Sequence, residues 1–150
     1  MAQFSAPDGK IELPDPKWGR TRTGGFNRLN DLDPEAAGLK GANGVLVIWH
    51  AGVRPRWLYI ARSDDLAASF RELGARDDLM SYEANGGIYA TWALIRDELQ
   101  DGVVGFLTKI LKPLLPNPDV PGPEVDPVPV QIPRSKAAMD AADKSEAEAD

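Results

Sequence analysis

The sequence predicts an α/β (α+β) protein: a small three-stranded antiparallel sheet packed by helices, with long irregular arms at both ends. Two apolar runs, 44–50 and 56–62, flank a Gly/Pro turn. A third run, 88–94, is rich in aromatic and β-branched residues and follows Asn85-Gly86-Gly87. Stretches of helical spacing lie after the second and third runs, whereas proline and glycine punctuate the chain's two ends.

Residues 1–43 read as an irregular N-terminal arm. Pro7, Pro14, Pro16, Gly19, Gly24 and Gly25 interrupt any regular element, and Phe4, Ile11, Leu13, Trp18 and Phe26 are scattered apolar anchors. A short helix is expected from Asp33, with Asp33 as N-cap, Pro34 in the first helical position and Glu35 in the first turn. Gly38 and Gly41 would end it. The run Val45-Leu46-Val47-Ile48-Trp49 has no polar alternation, as in a strand covered on both faces. Ala51-Gly52-Val53-Arg54-Pro55 supplies a turn, so 44–50 and 56–62 form a hairpin. Asp64 or Asp65 caps a helix in which Leu66, Ser69/Phe70 and Leu73 recur at helical spacing, and a second helical piece covers 77–82.

After the third strand, in which Trp92 is a core residue, a helix is expected over about 95–112. Leu99, Val103, Phe106 and Ile110 make its apolar stripe. Gly102 and Gly105 each weaken it by about 1 kcal/mol, which close helix–sheet packing would explain. Pro113 and Pro116 stop it. Residues 116–150 form a C-terminal tail. Its first part is proline-rich and alternates through Val125, Val128, Val130 and Ile132, suggesting polyproline II or an edge-like strand laid on a surface. Residues 135–150 are rich in Ala, Glu, Asp and Lys, a solubilising composition expected to be disordered.

Composition limits the function classes. The chain has 150 residues, consistent with one domain over 44–115. It contains no cysteine, which removes disulfides, thiolate metal sites and cysteine nucleophiles. No window approaches the roughly 18 apolar residues of a membrane span. The first residues lack the basic and apolar regions of a signal peptide, so a cytoplasmic protein is expected. The net charge is -6, concentrated beyond residue 113, where eight acids face three bases. The remainder is nearly neutral, unlike a strong nucleic-acid binder.

The order strand, hairpin, strand, helix, helix, strand, long helix over about 44–115 resembles the GIY-YIG nuclease domain. Gly44-Val45-Leu46 stands at the first triplet of that family and Tyr59-Ile60-Ala61 at the second. The segment from Leu107 to Leu114 looks like the family's closing helix. A literal Gly87-Ile88-Tyr89 also occurs, but its partner would fall near Leu99-Gln100-Asp101, inside the long helix. The resemblance implies tyrosines beside a water nucleophile, an arginine on the scissile phosphate and a glutamate holding one divalent metal. At the corresponding positions this chain has Leu46, Tyr59, Ala61 after the second triplet's tyrosine, Ser69 for the arginine and Val104 for the glutamate. Only Tyr59 is retained. The resemblance therefore implies a degenerate, non-catalytic domain with no cofactor. An active alternative would need Mg²⁺, Tyr59, Arg62 or Arg71 as a relocated cation, and Glu98 or Asp101 as a relocated carboxylate.

Other residues admit chemistry in principle. His50, the single histidine, is a possible base beside Tyr59, although a polar strand end is the commoner role. Ser63, His50 and Asp64 contain the residue types of a triad but no nucleophile elbow. Arg54, Arg56 and Arg62, with Trp49 and Trp57, form a candidate basic–aromatic patch for nucleic acid. Asp64-Asp65 and Asp77-Asp78 read as helix caps, and Gly24-Gly25 and Gly86-Gly87 as loop glycines. The expected function is a binding or structural module in a larger assembly, such as a phage or phage-like particle. Its partners would be other protein subunits, reached through the N-terminal arm and the Pro-rich tail. The alternatives are a divergent Mg²⁺-dependent DNA endonuclease and a nucleic-acid-binding accessory protein.

Overall fold

The computed structural model describes residues 13–134. Its regular elements are β1 (Asn27–Arg28), a 3-10 turn (Leu29–Asp31), β2 (Gly44–His50), β3 (Arg56–Ser63), α1 (Leu66–Gly74), α2 (Asp77–Met80), β4 (Ile88–Ala93) and α3 (Asp97–Leu111). The strands form one antiparallel sheet in the order β1-β4-β2-β3. The α+β class and the three main strands follow the sequence reading. The fourth strand does not: β1 contributes two residues, Asn27 opposite Ala90 and Arg28 opposite Tyr89. A two-residue strand has no periodicity to detect, and only its partner defines it.

The continuous apolar run of β2 has the expected cause. Val45, Leu46, Val47 and Ile48 are almost wholly buried. Leu46 and Ile48 face α1 and α2 in a core with Leu58, Leu66, Phe70, Leu73 and Leu79. Val45 and Val47 face the opposite way, with Ile60, Val103, Val104 and Leu107. Trp18 and Phe26 of the N-terminal arm and Val130 of the tail complete this second core. Both arms, within the described residues, are therefore packed parts of the body.

The hairpin contains an irregularity. Ile48 is opposite Tyr59, but Trp49 is opposite Trp57, so Leu58 is an extra residue on β3. A bulge of this kind turns consecutive side chains toward one face. Leu58 and Tyr59 accordingly both belong to the α1 side. The outer edge of β3 is covered by the segment after α3: Leu114 N–H donates to Trp57 O at 3.0 Å, and Leu115 N–H to Leu58 O at 2.9 Å. Such covering removes an edge that would otherwise pair with another chain.

Three expectations are corrected. The helix from Asp33 is a turn, although Asp33 Oδ1 does accept from Ala36 N–H at 3.2 Å. Gly38 and Gly41 take φ of 77° and 72°, and a cap cannot propagate a helix that stops within one turn. In α3 the buried residues are Gln100, Gly102, Val103, Val104 and Leu107. Leu99 and Ile110, expected in the apolar stripe, are 38% and 48% exposed. Gly102 serves close packing, but against the tail and not the sheet. Val128 N–H donates to Gly102 O at 2.9 Å, and a β-carbon at Gly102 would overlap Val128 and lie 2.7 Å from Asp126 O. The tail itself, up to residue 134, takes neither helix nor strand. The acidic segment 135–150 lies outside the described residues.

The two helical glycines should respond oppositely to alanine. Gly102→Ala is expected to lower stability in urea denaturation by about 1–3 kcal/mol through overpacking. Gly105, whose nearest neighbour would be Pro121 at 3.6 Å, has room. Gly105→Ala is expected to raise stability by up to about 1 kcal/mol through helix propensity.

Candidate functional site

The hairpin register and α1 bring four of the five singled-out positions together. Leu46, Tyr59, Ala61 and Ser69 line one cleft of about 170 Å³, joined by Arg62, Glu72, Arg76 and the post-helical residues Asn117 and Asp119. Ser69 arrives there because α1 begins directly after β3. Its hydroxyl lies 2.6 Å from that of Ser63. Asn117 is fixed by an Nδ2–H bond to Ile60 O at 3.1 Å, and its Oδ1 accepts from Asp119 N–H at 3.0 Å. The fifth position is elsewhere. Val104 is on α3, buried in the core on the other face of the sheet. That position does not fit a metal: it carries no donor atom and does not face the cleft.

The relocated residues are also engaged. Arg62 bonds Asp97 at 2.5 Å and Asp101 at 3.2 Å, with Asp64 at 3.9 Å. Partial burial works against its charge, but the hydrogen bond to Asp101 and the charges of Asp101, Asp97 and Asp64 outweigh it and hold Arg62 above the ordinary arginine value. Arg71 pairs with Glu35, and Glu98 with Arg96.

Arg76 was missed by sequence reasoning. Its Nε and a terminal nitrogen contact the two Asp78 oxygens at 2.9 and 2.5 Å, while the guanidinium lies 5.1 Å from the Tyr59 ring centre. The hydrogen bond from Arg76 keeps the Asp78 carboxyl below its usual range. The Arg-x-Asp spacing was legible, but its position over Tyr59 depends on α2 folding back. Among the described residues, no group of three or more His, Cys, Asp and Glu is placed to hold a metal ion.

The other constellations separate. His50 is opposite Arg56 and Tyr59 opposite Ile48, so the base–tyrosine pair is not formed across the hairpin. His50 is buried, accepts weakly from Gly52 N–H at 3.4 Å and stacks on Tyr82 at 5.7 Å. Ser63 is opposite Gly44, at the far end of the ladder from His50, so the triad does not assemble. The same ladder divides the arginine patch. Arg54 and Arg56 are exposed at the turn, without a carboxylate partner among the described residues, while Arg62 is at the other end of β3. Trp49 contacts Trp57, Tyr89 and Phe26 in an aromatic cluster at ring-centre distances of 5.6, 6.1 and 5.0 Å.

No protein-family model, curated protein or solved structure matches the chain. Among the described residues no helix is long and apolar enough to cross a membrane.

Asp65 is the N-cap of α1, and its Oδ1 accepts from Gly41 N–H at 3.0 Å and Ala68 N–H at 3.3 Å. These bonds, that from Gly41 foremost, hold its carboxyl below the usual range. A carboxylate with a depressed folded-state value stabilises above its unfolded value and loses that contribution as pH falls through the folded one. The urea-midpoint deficit of Asp65→Ala should therefore be full at neutral pH and shrink below about pH 4. An undiminished deficit in acid would show that the charge plays no part.

Proposed function

We propose that this chain is a non-catalytic GIY-YIG-like module that works by binding, as a subunit of a larger assembly such as a phage or phage-like particle. The observation that carries the non-catalytic part is the charge around Tyr59. Six carboxylates surround two guanidiniums there: Asp64, Asp97 and Asp101 pair with Arg62, Asp78 pairs with Arg76, and Glu72 and Asp119 line the cleft. A phosphodiester entering this cleft would find its cations already paired and net negative charge at the rim, the opposite of an electrostatic clamp on a transferring phosphoryl group. The convergence of Leu46, Tyr59, Ala61 and Ser69 on one cleft supports the resemblance in fold.

The assembly part rests on the composition of the arms. Trp18, Phe26 and Val130 are used in the chain's own core, so docking through the described body falls to exposed groups such as Val53, Leu94 and Leu114. A second reading, nucleic-acid binding, has one observation in its favour: the exposed Arg54 and Arg56 at the hairpin turn.

A plasmid-nicking assay with Mg²⁺ should show no cleavage above background. Mg²⁺-dependent nicking lost in Tyr59→Phe would establish the nuclease alternative. Native purification with size-exclusion and mass spectrometry should place the chain in a large complex, whereas a lone 16.3 kDa species would sink the assembly reading. For the nucleic-acid reading, the expected signature is affinity that falls steeply with salt, with a slope about two units shallower in Arg54→Ala/Arg56→Ala.

A further inference from the structure

The crossing of the two arms creates a groove of about 610 Å³, separate from the cleft at Tyr59. Gln131 joins its walls: the backbone N–H donates to Pro14 O at 2.9 Å and the side-chain amide to Leu13 O at 2.8 Å. The Trp18 indole N–H donates to Gln131 O at 2.7 Å. Trp18, Val130 and the half-exposed Ile110 of α3 supply apolar lining.

The charge lining this groove is unbalanced. Arg20 donates to Gly24 O at 3.0 Å and to Arg134 O at 2.7 Å, and lies 4.4 Å from the Phe26 ring centre. All three partners are neutral, so the guanidinium is held in place without a carboxylate partner among the described residues. Lys17 has φ of 65°, a left-handed conformation that is rare for a side-chain-bearing residue and clusters at ligand sites. Asp15 Oδ1 supports that turn by accepting from Lys17 N–H at 2.9 Å. Arg134 is the third lining cation, and among the described residues Asp15, 3.9 Å from the Lys17 ammonium, is the one lining carboxylate.

We infer that this groove binds an amphiphilic anion. A carboxylate or phosphate head sits among Lys17, Arg20 and Arg134, and an apolar body lies along the accessible faces of Ile110, Ile132 and Leu13, with the edges of the largely buried Trp18 and Val130 beneath. The volume is in the range of about 300–1,000 Å³ usual for small-molecule sites. The bonds to Gly24 and Arg134 use two of the five guanidinium N–H groups of Arg20, which leaves donors for an anionic head. The apolar lining discriminates against inorganic anions, and the excess of cations discriminates against neutral apolar molecules. This inference does not depend on the GIY-YIG likeness.

Isothermal titration of the full chain with decanoate, decyl phosphate, decanol and inorganic phosphate tests it. Saturable binding of at least one decyl anion is expected, with decanol and inorganic phosphate each about tenfold weaker or worse. Lys17→Gln and Arg134→Gln should each weaken the anion about three- to tenfold and leave decanol unchanged. Ile110→Asp should weaken every decyl ligand. These variants are chosen at positions with exposed surface, and an unchanged urea midpoint will verify folding. The better-bound decyl anion identifies the head group. Lack of saturable binding, equal binding of decanol, or indifference to both charge substitutions would overturn the site.

Discussion

The fold depends on β2 being buried on both faces. Four consecutive apolar residues, Val45 to Ile48, leave no side of this strand that can face water. Each buried side chain of this size contributes about 1.5–3 kcal/mol, so both faces must be covered. α1 and α2 cover one. On the other, α3 reaches Val45, Val47 and Ile60, and Trp18, Phe26 and Val130 join the same cluster. The arms are thereby drawn into the body. Gly102 lets the backbone around Asp126–Val128 lie directly on α3.

The same architecture sets the electrostatics. Tyr59, opposite Ile48, faces the α1 side, and the start of α3, the α1–α2 corner and the segment after α3 bring carboxylates to the arginines beside it. Arg62 and Arg76 are each held by one or more of them. The cations without a carboxylate partner among the described residues include Arg54 and Arg56 at the hairpin turn and Arg20 and Arg134 at the arm crossing. The structure thus separates two kinds of arginine that look alike in sequence: those locked into ion pairs and those left to meet something else. Arg20 shows why pairing alone is an incomplete criterion, since three neutral partners fix its position while leaving its charge uncompensated.

Much of the sheet was legible because its signals are local. The apolar run of β2, the Gly/Pro turn and the Asn85-Gly86-Gly87 turn each carry their own conformational cause, and both Gly86 and Gly87 do take φ of 93°. Asp65 caps α1 as its side chain allows. The face of α3 was harder. Leu99, Val103, Phe106 and Ile110 satisfy helical spacing, yet Val103, Val104 and Leu107 are the ones buried, against Val45, Val47 and Ile60 of the sheet. In the cleft, Tyr59 lies on a strand legible in the sequence, whereas Arg76 and Asn117 reach it only through the α1–α2 corner and the chain after α3.

The sequence by itself determined the α+β class, the hairpin and the cap of α1 at Asp65. These follow from side-chain chemistry and short-range periodicity. Only the tertiary structure decided that the arms belong to the core, that Val104 faces away from Tyr59 and that Leu13–Arg20 and Val130–Arg134 form one groove. Each of these is a relation between segments far apart in the chain. It is fixed by which apolar faces must be covered and by which charges burial brings together, and no local pattern encodes that.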